Sequence, residues 1–278
     1  MMPFMYLYER MAFEGVIMKP SKRVLAYSGL AALAIGAAVA TGDNKCSNKS
    51  YDNNNVLVSD SNIERITNSA YQLDADVAYV STNGRERARM QGHGTTFVGA
   101  KRNGRQYFIT ANHVVAPVST LTNPMTMTQL GKQSEAYTIN TNGRQCSLDV
   151  VRRNSDTDVA ILRSREDLGL DKLCDFADTP LREGDFVYVS GFPLNIGRYL
   201  VTGTVGQVDR NQEFFLHSAA ANPGFSGGPI YVLDRGQPKL GGIARFYRPD
   251  AQGVFGAVRP DLVKQELDEV LKTDRVYR

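Results

Sequence analysis

The sequence predicts an all-β protein: two six-stranded antiparallel β-barrels side by side, closed by a C-terminal helix. Three observations carry that expectation. Short runs rich in β-branched and aromatic residues recur along residues 77–258, with Gly, Asn and Pro between them. The runs fall into two sets of six, separated by residues 164–184, where the pattern is absent. Helical spacing of apolar residues returns only in residues 260–273.

The first set is Val77–Ser81, Thr95–Gly99, Tyr107–Thr110, Ala136–Asn140, Cys146–Val151 and Asp158–Arg163. Asn103-Gly104 and Asn142-Gly143 are hairpin signals inside it, because both residue types accept the positive φ that a tight hairpin turn needs. The second set is Phe186–Ser190, Tyr199–Val208, Phe214–Ser218, Pro229–Leu233, Leu240–Phe246 and Val254–Val258. Asp167, Asp171 and Asp175 mark the polar face of the connecting segment. In the final element, Leu262, Val263, Leu267, Val270 and Leu271 share one helical face, and Asp261 sits at the start, where negative charge is favoured.

Chemistry concentrates in Asn222-Pro223-Gly224-Phe225-Ser226-Gly227-Gly228-Pro229. Glycines flanking a serine allow a tight turn that projects the hydroxyl and converges backbone N–H groups, as a serine nucleophile requires. Three histidines exist: His93, His113 and His217. His113 ends the apolar run Tyr107–Thr110 plus Ala111-Asn112, and Asp158 leads into Val159-Ala160-Ile161-Leu162. Taken singly, these read as a glycine turn, a strand-end histidine and a strand-start aspartate. Together they supply a nucleophile, a base and an acid. The Gly-x-Ser-x-Gly pattern also fits an α/β-hydrolase elbow, but there a histidine follows the serine, and none follows Ser226. The order that remains is His113, Asp158, Ser226.

Those blocks, with Gly94-Thr95-Thr96-Phe97-Val98-Gly99 and Gly191-Phe192-Pro193, resemble the trypsin-like serine proteases, and among them the bacterial HtrA-like protease domains, over roughly residues 70–273. The resemblance implies a chymotrypsin-like double barrel, with His113 as general base, Asp158 as its orienting acid and Ser226 as nucleophile. It also implies an oxyanion hole from the N–H groups of Gly224 and Ser226. Asp156 is a rival acid, less favoured because Asp158 directly precedes the strand. Three features depart from relatives. Val114 stands where many animal trypsins carry cysteine, Phe225 stands where HtrA-type proteins usually carry Asn, and the chain ends too soon for a PDZ domain.

The primary specificity pocket implied by the resemblance has Ala219, Ala220 and Ala221 on one wall and Gly242, Ile243 and Ala244 on the other. No carboxylate is among them, so a bound Lys or Arg would be buried unpaired. Small to medium apolar side chains are expected before the cut, unless His217 or Arg245 points inward and favours acidic ones.

The 278 residues, 42% of them apolar, suffice for a sizeable core. A net charge of +3 gives no electrostatic footprint for nucleic acid, and Arg85-Glu86-Arg87-Ala88-Arg89 reads as a hairpin tip or strand face. No Cys/His spacing fits a metal, and no prosthetic group is implied. From Met18, the basic Lys19, Lys22 and Arg23 precede an apolar run over Val24–Ala40 ending in Ala38-Val39-Ala40, the layout of a cleaved export signal. Residues 1–17 precede that signal, and Met18 is the expected true start. Residues 41–61 read as a polar linker. In an oxidising compartment Cys146 and Cys174 are candidates to pair, leaving Cys46 free.

The functional expectation is an exported serine endopeptidase, secreted or periplasmic, acting on polypeptides. Two alternatives are a non-catalytic binding module on the same scaffold, with Phe225 distorting the oxyanion loop, and a membrane-tethered envelope stress protease whose N-terminal segment stays uncleaved.

Overall fold

The computed structural model describes residues 11–13, 59–208, 212–247 and 253–274. The expected export signal, its cleavage site, Cys46 and most of the expected linker lie outside them.

The strands are β1 (Met11–Phe13), β2 (Ala70–Ser81), β3 (Arg87–Arg102), β4 (Arg105–Ala111), β5 (Thr120–Thr122), β6 (Gln129–Thr141), β7 (Arg144–Asn154) and β8 (Val159–Ser164) in the first half. β9 (Phe186–Gly191), β10 (Tyr199–Val208), β11 (Phe214–His217), β12 (Pro229–Asp234), β13 (Gln237–Tyr247) and β14 (Phe255–Val258) make the second. The helices are α1 (Asp60–Asn68), α2 (Asn112–Val115) and α3 (Pro260–Thr273), with a single 3₁₀ turn at Pro193–Asn195.

β3 pairs with β2 over Arg87–Phe97 and with β4 over Phe97–Arg102. The remaining pairings, β4–β8, β8–β7, β7–β6 and β6–β2, close the first six long strands into a ring, barrel one. β1 and β5 are short additions, on β3 and β6. Barrel two is the closed ring β10-β11-β14-β13-β12-β9. All twelve strands expected from the sequence are present. Several run longer than their apolar cores, because ladder pairing continues through polar, solvent-facing positions such as Gln91 and Thr138.

Side-chain alternation explains the sequence patterns. Along β2, Leu73, Ala75, Val77 and Tyr79 face inward and are buried, while the residues between them are half-buried. β4 and β8 read instead as continuous apolar runs, because each strand feeds two cores. Phe108, Ala160 and Leu162 fill barrel one. Tyr107, Ile109, Val159 and Ile161 point the other way, into a cluster shared with Tyr231, Leu240, Ile243 and Val258 of barrel two. That shared cluster is the seam between the barrels. The hairpin signals are realised: Asn103, Gly104, Asn142 and Gly143 all have positive φ.

Two helices lock the seam. α1 lies partly within the stretch read as a linker. Ser59 caps it, accepting the Asn62 N–H at 3.3 Å, and Ile66 enters the seam. α3 has the expected bounds and buries Val263 and Leu267 in the same cluster. The helix leaves barrel two but is pinned by charge to barrel one. The buried Glu266 pairs with Arg152 and accepts from Asn154 Nδ2 at 2.7 Å, and Asp274 pairs with Tyr107 and with Arg163 at 3.1 Å. Removing either member of a buried charged pair is costly, so α3 clamps the two barrels in one relative placement.

Cys146 and Cys174 are both free thiols. Cys146 faces the core of barrel one and Cys174 packs on the seam, so the structure does not realise the expected pairing. Burial pushes the Cys174 thiol up to about 12, which makes it unreactive.

Candidate active site

The cleft between the barrels collects the predicted residues from both sides. On the barrel-one side, β4 ends at Ala111 and the short α2 begins at Asn112, presenting His113 at the rim with its side chain 47% exposed. Asp158 terminates the turn between β7 and β8. Asn154 Oδ1 accepts the N–H groups of Asp156 and Thr157, and the turn delivers Asp158 with φ of 56°, a left-handed conformation that Asp tolerates better than most residues. The Asp158 carbonyl accepts the Asn112 N–H at 2.9 Å, and its Oδ1 accepts the His113 N–H at 2.9 Å. The carboxylate then reaches the imidazole, with Oδ2 2.9 Å and Oδ1 3.2 Å from His113 Nδ1. Asp158 is 8% exposed, whereas Asp156 is exposed and faces solvent. Of the two rival acids, Asp158 is the one the structure joins to His113.

On the barrel-two side, the nucleophile loop is shaped by close approach. Gly224 and Gly227 have φ of 99° and 81°. A Cβ on Gly227 would overlap Thr110 Oγ1 and the Thr95 carbonyl, and one on Gly224 would overlap the Phe192 carbonyl. Phe225 turns inward, is buried in the core of barrel two, and packs against Gly191, where any side chain would collide with its ring. The aromatic residue is therefore an apolar anchor for the loop and does not crowd the face that carries Ser226. Its backbone closes the turn, with Phe225 N–H to Asn222 O at 3.0 Å and Gly228 N–H to Phe225 O at 2.7 Å. Among the described residues, the N–H groups of Gly224 and Ser226 donate to no other group, which leaves both available to a ligand.

Thr95, a fully buried residue of β3, ties the halves together. Its N–H donates to Ser226 O at 2.9 Å, and its hydroxyl donates to Gly224 O at 2.7 Å and accepts from Phe192 N–H at 3.0 Å. Its carbonyl accepts Thr110 Oγ1 at 2.8 Å. The sequence marks Gly94–Gly99 as a motif but gives Thr95 no role, because the contact spans 129 positions. Ser226 is half-buried, and its carbonyl and the Val114 side chain both close on Gly94, leaving no room there for a Cβ. Among the described residues no hydrogen bond joins Ser226 Oγ to His113, a looseness common before substrate binds.

The pocket residues divide. Ala219, Ala221 and Ala244 gather with Phe215 in barrel two, and a side chain on Gly242 would meet the Val258 carbonyl and the Phe215 ring. Ala220 is exposed at the rim. Ile243 departs from its expected place on the wall. Strand alternation turns it opposite to Ala244, into the seam. Arg245 also points elsewhere, with Nε 3.4 Å from Asp158 Oδ2. His217 is 2% exposed, stacked on Phe255 at 5.9 Å and 6.0 Å from the Phe215 ring, with no hydrogen-bond partner at either ring nitrogen. Burial without a partner pushes its imidazole down to about 4. Among the described residues no group of His, Cys, Asp and Glu could hold a metal ion, and no helix is long and apolar enough to cross a membrane.

Residues 94–238 match the family model for the trypsin-like peptidase domain. The chain is 28% identical over 229 residues to a serine protease Do-like HtrA of Bacillus subtilis, covering 77% of this chain and 47% of that protein. It is 26% identical over 203 residues to a probable periplasmic serine endoprotease DegP-like of Rhizobium meliloti, covering 70% and 36%. The chain thus spans less than half the length of these relatives. A crystal structure of the serine endoprotease from Yersinia pestis has the same fold, with a TM-score of 0.54 at 19% identity over 75% of this chain and 66% of that one. With the family model covering more than half of the chain, the protein belongs to the trypsin-like peptidase family, on a chymotrypsin-like double barrel.

Proposed function

We propose that the chain is an exported serine endopeptidase that cuts polypeptides through an acyl-enzyme. The single observation that carries the reading is the meeting of Asp158 Oδ2 and His113 Nδ1 at 2.9 Å, across the cleft from a serine loop with two unshared N–H groups. In this reading Ser226 Oγ attacks the scissile carbonyl while His113 Nε2 takes its proton. Asp158 accepts Nδ1–H, holding the tautomer that leaves Nε2 free and stabilising the imidazolium. The oxyanion accepts hydrogen bonds from Gly224 and Ser226 N–H groups fixed before the reaction, so little reorganisation is needed as charge develops. His113 then protonates the leaving amine, and water, activated by the same histidine, hydrolyses the ester.

A substrate extended along the cleft can add as a strand, with its P1 side chain against Ala219, Ala221 and Ala244. That surface is apolar, and Arg245 is engaged at Asp158, which supports Ala, Val or Leu over acidic or basic residues before the cut. Export is supported by the basic-then-apolar segment from Met18 and by the word periplasmic in the names of DegP-like relatives. Profiling on a peptide library tests the reading: cleavage after small and medium apolar residues is expected, lost in Ser226→Ala. Dominant cleavage after Lys or Arg contradicts the pocket, and cleavage that survives Ser226→Ala contradicts the mechanism.

A further inference from the structure

Between β13 and β14 the register runs Ile243 to Val258, Ala244 to Ala257, then Phe246 to Gly256. Arg245 is therefore an extra residue on its strand, a β-bulge, and a bulge re-aims the side chain it carries. Here the guanidinium is sent across the cleft to barrel one. Its Nε lies 3.4 Å from Asp158 Oδ2, the oxygen that accepts His113 Nδ1 at 2.9 Å. The side chain is only 22% exposed, and Glu213 Oε2 lies 4.0 Å from Nη1. The preceding residue, Ala244, is bonded to the nucleophile loop in both directions, its carbonyl accepting Gly227 N–H at 2.8 Å and its N–H donating to Gly228 O at 2.9 Å. One strand segment thus holds the nucleophile loop with its backbone and the acid with its side chain.

We propose that Arg245 is a positioning residue of the triad, a cation delivered from barrel two that holds the Asp158 carboxylate in place against His113. The proposal rests on the peptidase reading above but has a readout independent of activity. Among the described residues, charged groups approach the His113–Asp158 pair from β13, from β7 and from the turn that carries Asp156. Arg245 approaches from β13, with Glu213 at its flank. From β7, Arg153 donates to Val115 O of α2 at 2.9 Å and is itself held by Glu135 at 2.6 Å and the Tyr137 hydroxyl at 3.2 Å. Asp156 faces solvent. Arg153 is thus matched by its own carboxylate, while Arg245, among the described residues, is the cation in contact with Asp158. A cation there does two things. It favours the carboxylate, and it offsets part of the negative field that would otherwise hold a proton on His113. Without it, the carboxylate loses a second fixed partner and the pair loses its positive neighbour. Substrate binding is untouched, because Arg245 is turned away from the pocket wall.

The test compares wild type with Arg245→Gln, Arg245→Met (which keeps the apolar bulk of the stem) and Arg245→Lys. The His113 ring protons are followed by NMR from pH 4 to 9, and kcat and KM are measured on a library-derived peptide. In Arg245→Gln and Arg245→Met the His113 titration, and with it the acid limb of kcat/KM, is expected to move up by about half a pH unit or more. Plateau kcat is expected to fall about tenfold with KM within about twofold, the signature of an interaction that substrate does not feel. Arg245→Lys restores the wild-type titration. A His113 titration unmoved by loss of the charge overturns the proposal, as does a Lys variant that behaves like Gln. If wild type cuts no peptide yet the titration moves as stated, the peptidase reading fails and the role of Arg245 at Asp158 stands.

Discussion

Barrel one and barrel two build their halves of the cleft in different ways. Barrel one contributes side chains: His113 and Asp158 are oriented by two backbone N–H bonds, the Nδ1–carboxylate hydrogen bond and a left-handed turn. Barrel two contributes the loop around Ser226: Gly224, Gly227 and Gly228 fit only because they carry no side chain, and the buried ring of Phe225 anchors them. A half made of charges is sensitive to protonation and to isosteric changes that alter charge. A half made of close packing is sensitive to volume and indifferent to pH. Thr95 and Arg245 are the crossing points, each reaching from its own barrel to fix the other's part.

The largest expected effect lies on the charged half. Asp158→Asn keeps the shape but favours the wrong tautomer of His113, and should cost about 10⁴-fold in kcat. Asp156→Asn, on an exposed residue two positions away, should change kcat less than about threefold by the same assay, since surface positions away from the site carry little. The reverse ranking would move the acid to Asp156 and dissolve the contrast between the halves.

On the packed half, Phe225→Ala removes a fully buried ring and should destabilise by about 3–5 kcal/mol. Activity should be lost with little movement of the acid limb of kcat/KM, because no charge changes. Denaturant melts and a pH–rate profile check both parts. A stable Phe225→Ala protein of normal activity would show that the ring does not hold the loop.

A smaller effect compares a rim histidine with a buried one. His113 has a carboxylate partner, whereas His217 has none and is pushed down to about 4 from its usual 6.5. The unfolded chain takes up a proton on His217 as pH falls below 6.5, and the folded chain does not until near 4. The folded state is therefore penalised progressively across that window. The full shift corresponds to roughly 3 kcal/mol, and it is absent above pH 7. His217→Leu should thus melt higher than wild type, by a margin that widens from pH 7 to pH 5. Parallel melting curves against pH would show that His217 is not held neutral by its burial among Phe215 and Phe255.

Much of this was legible in the sequence because it depends on local pattern. The twelve strands follow from side-chain alternation, α3 from its single apolar face, and the order His113, Asp158, Ser226 from the context of each residue. What escaped depends on distant contacts. α1 buries little beyond Asn62 and Ile66, so its polar composition does not announce a helix, and its first two residues fall in the stretch read as linker. The role of Thr95 lies in bonds to residues about 130 positions away, and no propensity encodes a bulge that turns Arg245 from the pocket to the acid. Ile243 turns into the seam because alternation along β13 sets it opposite Ala244, which a wall of three consecutive residues, Gly242, Ile243 and Ala244, does not respect.

The central claim is that the two halves together activate Ser226, and covalent labelling by a fluorophosphonate tests it most directly, since the reagent reacts with a serine only when base and oxyanion donors are assembled. Mass spectrometry of the digested adduct should place the phosphonate on Ser226 in the wild-type protein. Labelling should vanish in Ser226→Ala and slow by orders of magnitude in His113→Ala. A folded wild-type protein that stays unlabelled, or one labelled at any other residue, would contradict the account.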